Sequence, residues 1–248
     1  MKISYPAFSS KPQNLVLKHE EIHVWCASLD QPVSRFQMLS QTLSPDEHMR
    51  AERFHFEKDR NHFIISHGIL RTILGSYLSV EPDKLQFCYG KYGKPALADI
   101  SGNGRICFNS SRSEWRALYV FTLDREIGVD IEHIHDISEM DQIVERFFSV
   151  TENEVFHALP ESKKKEAFFN CWTRKEAVIK AIGDGLYCPL DKFDVSLSPG
   201  EPADLLSIEG DSIKASGWYI QDLSPDSEFA AACAVEGLCQ FRWYQWSA

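Results

Sequence analysis

The chain has 248 residues, 44% of them hydrophobic, which is enough apolar side chain to bury a full core in one compact domain or two fused halves. A formal net charge of −10 argues against a general affinity for nucleic acid, which relies on lysine and arginine neutralising phosphates, and leaves room only for a local basic pocket. Seven cysteines, odd in number, with no CxxC pair and with several in apolar runs such as AACAV, read as the reduced, buried thiols of a cytoplasmic protein; no signal-peptide core opens the sequence and no run reaches the roughly 18 apolar residues of a membrane span.

EIHVWCASL alternates Ile22, Val24 and Cys26 and predicts a strand, with helical sequence following from about Pro32. Ser44-Pro45-Asp46-Glu47 predicts a helix start, since serine caps, proline suits the first helical position and the two acids favour the positive end of the dipole. Between Glu57 and Leu78, the apolar residues Phe63, Leu70, Leu74 and Leu78 recur at helical spacing and predict a core helix. The segment 90–104 is rich in glycine and turn residues, RICFNSS and ALYVFTL predict a strand pair, and REIGVDIEHI predicts a further strand. Helices are expected over 143–148, 152–159 and 163–182, and strands in KFDVSL, GWYIQDL, FAAACAV and QFRWYQW. The fold class is therefore α+β. Two clusters share a layout of strand, long apolar helix and further strands, which suggests an internal duplication with halves at 1–125 and 126–248, tightly packed around a cleft.

Four segments could carry chemistry. In IGVDIEHI, Asp130 and Glu132 leave the same strand face while Val129 and Ile131 point the other way; the pair is either a solvated face or half of a cation site. In WTRKEAVIKAIGDGL, Glu176 shares helical spacing with Phe169, Trp172 and Ile179, and a carboxylate beside apolar surface needs a partner. Lys180 at i+4 could be that partner, in an ion pair worth about 0.3–0.5 kcal/mol, or the two residues could belong to a site. Lys175 either guides a phosphate or snorkels from the core, and Gly183-Asp184-Gly185 reads as a helix stop. Lys91 and Lys94 in CYGKYGKPAL and Arg112 in FNSSRSEW are solvated loop charges or a phosphate grip. GxxxxGK[ST], HExxH, GxSxG and zinc-type spacing are all absent from the sequence.

Taken in order, GKPAL, FNSSRS, IGVDIE and WTRKEAVIK resemble the motifs of the Sfp-type 4′-phosphopantetheinyl transferases, with Glu132 and Glu176 forty-four positions apart. The resemblance spans most of the chain. It implies two pseudo-symmetric α/β halves with the active site at their interface, and transfer of the phosphopantetheine arm of coenzyme A to a serine of an apo acyl or peptidyl carrier protein, releasing adenosine 3′,5′-bisphosphate. It implies Asp130, Glu132 and Glu176 as ligands of magnesium, with manganese as the alternative hard cation. Glu176 is then the base for the carrier serine and Lys180 the group that stabilises the departing phosphate. Arg50, Tyr92, Gly93, Lys94, Pro95, Ser111 and Arg112 match the family's coenzyme A contacts, joined by Asp130 and Lys180 at the pyrophosphate. The product would be a holo carrier of fatty acid, polyketide or nonribosomal peptide synthesis.

One departure stands out: Arg112 occupies the position of the family's histidine, keeping a donor and fixing its charge at every working pH. This motivates one alternative to an active, monomeric transferase, a coenzyme A or carrier-binding protein with weakened catalysis; a second, a magnesium-dependent phosphohydrolase, would use the same acids. IHDISEMDQIVERFF, with Ile137, Met140 and Ile143 at roughly helical spacing, is either an apolar anchor for the carrier or a helix packed on the core.

Overall fold

The computed structural model describes residues 6–98, 105–183 and 189–247. Asp184 and Gly185 of the expected helix stop, Cys188 and the far end of the 90–104 turn segment lie outside the described residues. In chain order the elements are β1 (Glu21–Ser28), α1 (Val33–Ser40), α2 (Pro45–Ala51), α3 (Glu57–Leu78), β2 (Phe87–Tyr89), β3 (Pro95–Leu97), β4 (Ile106–Ser113), β5 (Arg116–Leu123) and β6 (Ile127–His133). They continue with α4 (Met140–Phe147), α5 (Val150–Ala158), α6 (Glu161–Ile182), β7 (Phe193–Val195), β8 (Leu205–Ile208), α7 (Ser212–Ala215), β9 (Trp218–Asp222), β10 (Phe229–Glu236) and β11 (Gln240–Gln245).

Alternation along the strands builds four layers. In β1, Ile22, Val24 and Cys26 face one core while Trp25 and Ala27 face another, so both faces of the strand are covered. The first core lies between two sheets, of strand order β11-β1-β5-β4 and β6-β10-β9, and holds Leu118, Val120, Val129, Ile131 and Cys233. The second lies between the first sheet and α3, and a third between the second sheet and α6. In β10 the residues turned to α6 are Ala230, Ala232 and Ala234, small enough to let the helix come close. Gly128 in β6 completes that approach, because a Cβ there would stand 2.1 Å from the Ala177 carbonyl oxygen and 2.3 Å from the Ala181 nitrogen. The WTRKEAVIK segment of α6 is thus pressed directly onto the DxE strand.

The two clusters repeat each other in side-chain detail as well as in layout. Both Ser44 and Ser149 open a capping box with a glutamate three residues on, Glu47 and Glu152. Each glutamate then pairs with a buried cation on a 22-residue helix: Glu47 Oε2 with Arg71 Nε of α3, and Glu152 Oε2 with Lys175 Nζ of α6, both at 2.7 Å. Arg71 also donates to the carbonyls of Pro82 and Leu85 and lies over the Phe87 ring. Lys175 donates to those of Leu190 and Phe193 and lies over the Phe193 ring. Lys175 is 1% exposed and therefore neither guides a phosphate nor snorkels to water; it ties α6 to the turn behind it.

The link between β5 and β6 falls near residue 125, and the last strand crosses back: β11 pairs parallel with β1 and completes the first sheet. Ile137, Met140 and Ile143 pack, half-buried, against the core around α6. No described helix is long and apolar enough to cross a membrane.

Candidate active site

β4 and β6 stand at the facing edges of the two sheets, joined by side chains in place of a backbone ladder. Asn109 Oδ1 accepts from the Val129 N–H at 3.0 Å, Ser111 Oγ donates to Asp130 Oδ1 at 2.9 Å, and Ser113 Oγ donates to Glu132 Oε2 at 2.8 Å. These three positions alternate along β4, so one pleat face carries the whole seam.

From the other side α6 supplies Lys180, whose Nζ donates to Asp130 Oδ1 at 2.6 Å and to Ser111 Oγ at 3.1 Å. Asp130 is 3% exposed, and its second oxygen, Oδ2, is buried without a hydrogen-bond partner. A buried carboxylate oxygen left bare costs free energy that a cation would recover. Glu176 occupies the partly open stripe of α6 with Trp172 and Lys180, while Phe169 and Ile179 are buried. The local ion pair that i,i+4 spacing allows is not the one made, since Lys180 bonds to Asp130 on the neighbouring strand.

Burial, reinforced by the charge of Asp130 and opposed by Lys180, raises the carboxyl pKa values of both Glu132 and Glu176. Asp130 therefore acts on both glutamates, and the three form one electrostatic unit. Among the described residues no three such side chains are drawn into a closed metal cage. Lys180 neutralises one oxygen of Asp130. The donor set, three carboxylates with a bare buried oxygen among them, suits a hard divalent cation that prefers oxygen ligands.

The expected nucleotide contacts divide into two groups. Arg50 and Arg112 lie over the Phe63 ring at 5.7 and 5.6 Å. Arg112 also lies over Phe54, and Arg50 Nη1 donates to the Tyr89 hydroxyl. Among the described residues neither guanidinium has a carboxylate in ion-pair contact, and burial lowers the Arg112 pKa. Arg112 lines a polar cavity of about 290 Å³ with Phe54, Lys58, Asp59, His62, Ser113 and Glu114. Lys94, by contrast, donates to Glu126 Oε2 and to the Ala181 carbonyl, both at 2.8 Å, and so fastens its loop to the end of α6. That loop turns at Gly93, whose φ of +83° suits glycine, with Tyr92 beside it and Pro95 opening β3.

Sequence reasoning missed Asn109, Ser113, Glu126 and His67, which stacks on Phe63 at 3.9 Å. The alternation of 109, 111 and 113 in a strand facing the DxE motif was the available signal for the first two.

A lysine from α6 clasps the aspartate of the DxE strand, with Glu176 one helical turn away, while Arg50 and Arg112 gather separately around Phe63. The chain belongs to the 4′-phosphopantetheinyl transferase superfamily: the model of that superfamily matches residues 126–234, and the model of the 4′-phosphopantetheinyl transferase N-terminal region matches residues 27–118. It is 42% identical to the 4′-phosphopantetheinyl transferase HetI of Nostoc sp. over 233 residues, 94% of each chain. It is 29% identical to the 4′-phosphopantetheinyl transferase Sfp of Bacillus subtilis over 171 residues, 68% of this chain and 74% of that one. To the 4′-phosphopantetheinyl transferase gsp of Aneurinibacillus migulanus the identity is 32% over 159 residues, 64% of this chain and 63% of the relative.

Proposed function

We propose that the chain moves the 4′-phosphopantetheine arm of coenzyme A onto a serine hydroxyl of an apo acyl or peptidyl carrier protein, releasing adenosine 3′,5′-bisphosphate, with magnesium held by Asp130, Glu132 and Glu176. The observation that carries this reading is Lys180 reaching from α6 to Asp130 Oδ1 while Oδ2 stays buried and bare. When bound, the cation supplies Lewis acidity to the pyrophosphate oxygens.

The chain's own residues do the rest. Glu176, on the open stripe of α6 and with a raised pKa, takes the proton of the carrier serine as its oxygen attacks the phosphorus that bears the arm. The bond from that phosphorus to the bridging oxygen breaks, and Lys180 meets the charge gathering on the departing phosphate. Arg50 and Arg112, flanking Phe63, grip the remaining phosphate of the nucleotide. Tyr92, Gly93 and Pro95 present loop backbone to the nucleotide while Lys94 anchors the loop. The described cysteines are free, which supports a reducing cytoplasmic setting.

Intact-mass measurement on a panel of apo carriers, with coenzyme A and magnesium, tests the proposal. A gain of one arm on at least one carrier is expected. No gain at high enzyme concentration would overturn it. Coenzyme A binding without transfer would mark a binding protein, and release of a pantetheine phosphate without any carrier would mark a phosphohydrolase.

A further inference from the structure

Each carboxylate of the DxE strand has one oxygen engaged by a β4 hydroxyl and one left without a donor. Asp130 Oδ1 receives Ser111 Oγ and Lys180 Nζ, and Oδ2 has no partner. Glu132 Oε2 receives Ser113 Oγ, and no donor among the described residues meets Oε1.

The Ser113 hydroxyl cannot be turned away from this task. Its oxygen accepts from the His133 N–H at 3.0 Å, so a lone pair is committed to the backbone of β6 and the single hydroxyl proton is directed to Glu132 at 2.8 Å. Both bonds land on consecutive residues of one strand. They fix the register of β6 against β4 and the rotation of the Glu132 carboxylate together. Asn109 makes the matching register bond four residues earlier on the same seam, to the Val129 N–H.

We infer that Ser113 is a positioning residue for the cation: it holds Glu132 by one oxygen so that the other is presented beside Asp130 Oδ2. This rests on the proposed assignment of Asp130 and Glu132 as ligands. Hydroxyls that orient a ligating carboxylate raise affinity by removing the freedom the ligand would otherwise lose on binding, typically by about 10- to 100-fold. Ser111 serves Asp130 in the same way but shares the task with Lys180, so its removal alone should matter less.

The test is titration of Mn²⁺ into the full chain with coenzyme A present, followed by the paramagnetic signal of the free ion, for wild type, Ser113→Ala, Ser113→Thr and Asp130→Ala. Thermal unfolding is recorded for each. Ser113→Ala should weaken Mn²⁺ binding about 10-fold or more, with a melting point close to wild type, while Ser113→Thr, which keeps the hydroxyl, restores affinity. Equal Mn²⁺ affinity in wild type and Ser113→Ala, with Asp130→Ala unable to bind, would overturn the role of Ser113 and leave the ligand assignment standing. Threonine binding as poorly as alanine while remaining folded would also overturn it. Unaltered Mn²⁺ binding by Asp130→Ala, or none by the wild-type chain, would remove the ligand assignment and this role with it.

Discussion

Lys175 and Glu152 form a buried ion pair at 2.7 Å that repeats, in the second cluster, the Arg71–Glu47 pair of the first. The lysine stands next to Glu176 in sequence and yet points away from the site. Its partner also opens a capping box, so one carboxylate sets both the start of α5 and the seat of α6. Lys175→Met should destabilise the chain by about 3–5 kcal/mol, because Glu152 is left as an uncompensated buried charge. Lys175→Arg should cost much less, since the first cluster already uses arginine in this setting. Thermal or urea unfolding of the two variants checks the difference.

Gly128 lets α6 lie on β6. Gly128→Ala should cost about 3 kcal/mol or more, because the new Cβ meets helix backbone that cannot rotate aside. In the fraction that folds, α6 is pushed off the strand and Lys180 is drawn away from Asp130. Transfer rate should therefore fall further than melting temperature predicts; a rate that simply tracks the folded fraction would refute this coupling.

Glu176→Gln should lower kcat by about 10²- to 10⁴-fold while leaving the fold intact, through loss of the proton acceptor. Lys180→Ala should lower kcat by about 10²-fold and change coenzyme A affinity less, as expected of a group that meets charge developing late in the reaction. Steady-state transfer kinetics beside calorimetric coenzyme A binding separate the two effects. An affinity loss larger than the kcat loss would make Lys180 a binding residue.

Arg112 lies over Phe54 and Phe63 with no carboxylate in ion-pair contact among the described residues, which leaves its guanidinium without a competing anion. Arg112→Ala should raise KM for coenzyme A about 10- to 100-fold, the worth of a lost charge-assisted contact. Its effect on coenzyme A lacking the 3′-phosphate should be small. Comparable losses with both substrates would place the guanidinium elsewhere on the ligand.

His67 gives the fold an acid limit. Burial, helped by Arg112 and Arg50, lowers its pKa from 6.5 to about 4. The unfolded chain therefore binds this proton first, and stability falls as pH drops from about 6.5 towards 4, by up to about 3 kcal/mol, with no further loss from this group below that. His67→Gln should flatten that part of the stability-pH curve. An unchanged slope in chemical denaturation across this range would show that the imidazole is not its source.

Much of the architecture was legible in local pattern. The period of the apolar residues marked β1, α3, β4 to β6, α6, β10 and β11, and Ser44 with Glu47 announced a helix start that the structure forms as a capping box. The short strands β2, β3 and β8 and the helix α7 escaped notice because three or four residues carry no readable period. Within the candidate site, the motifs pointed to Asp130, Glu132, Glu176 and Lys180 as residues, though not to the contacts they make.

By itself the sequence determined which residue types stand at which positions of a strand or helix, since periodicity and capping are set by neighbours a few residues away. Only the tertiary structure decided that Lys180 joins Asp130 instead of Glu176, that Lys175 is buried behind the site, that Ser113 orients Glu132, and that β11 returns to the first sheet. Those choices depend on how closely layers approach. Gly128 and three alanines of β10 bring α6 down until a donor fifty residues away in the chain is nearer to Asp130 than any local alternative.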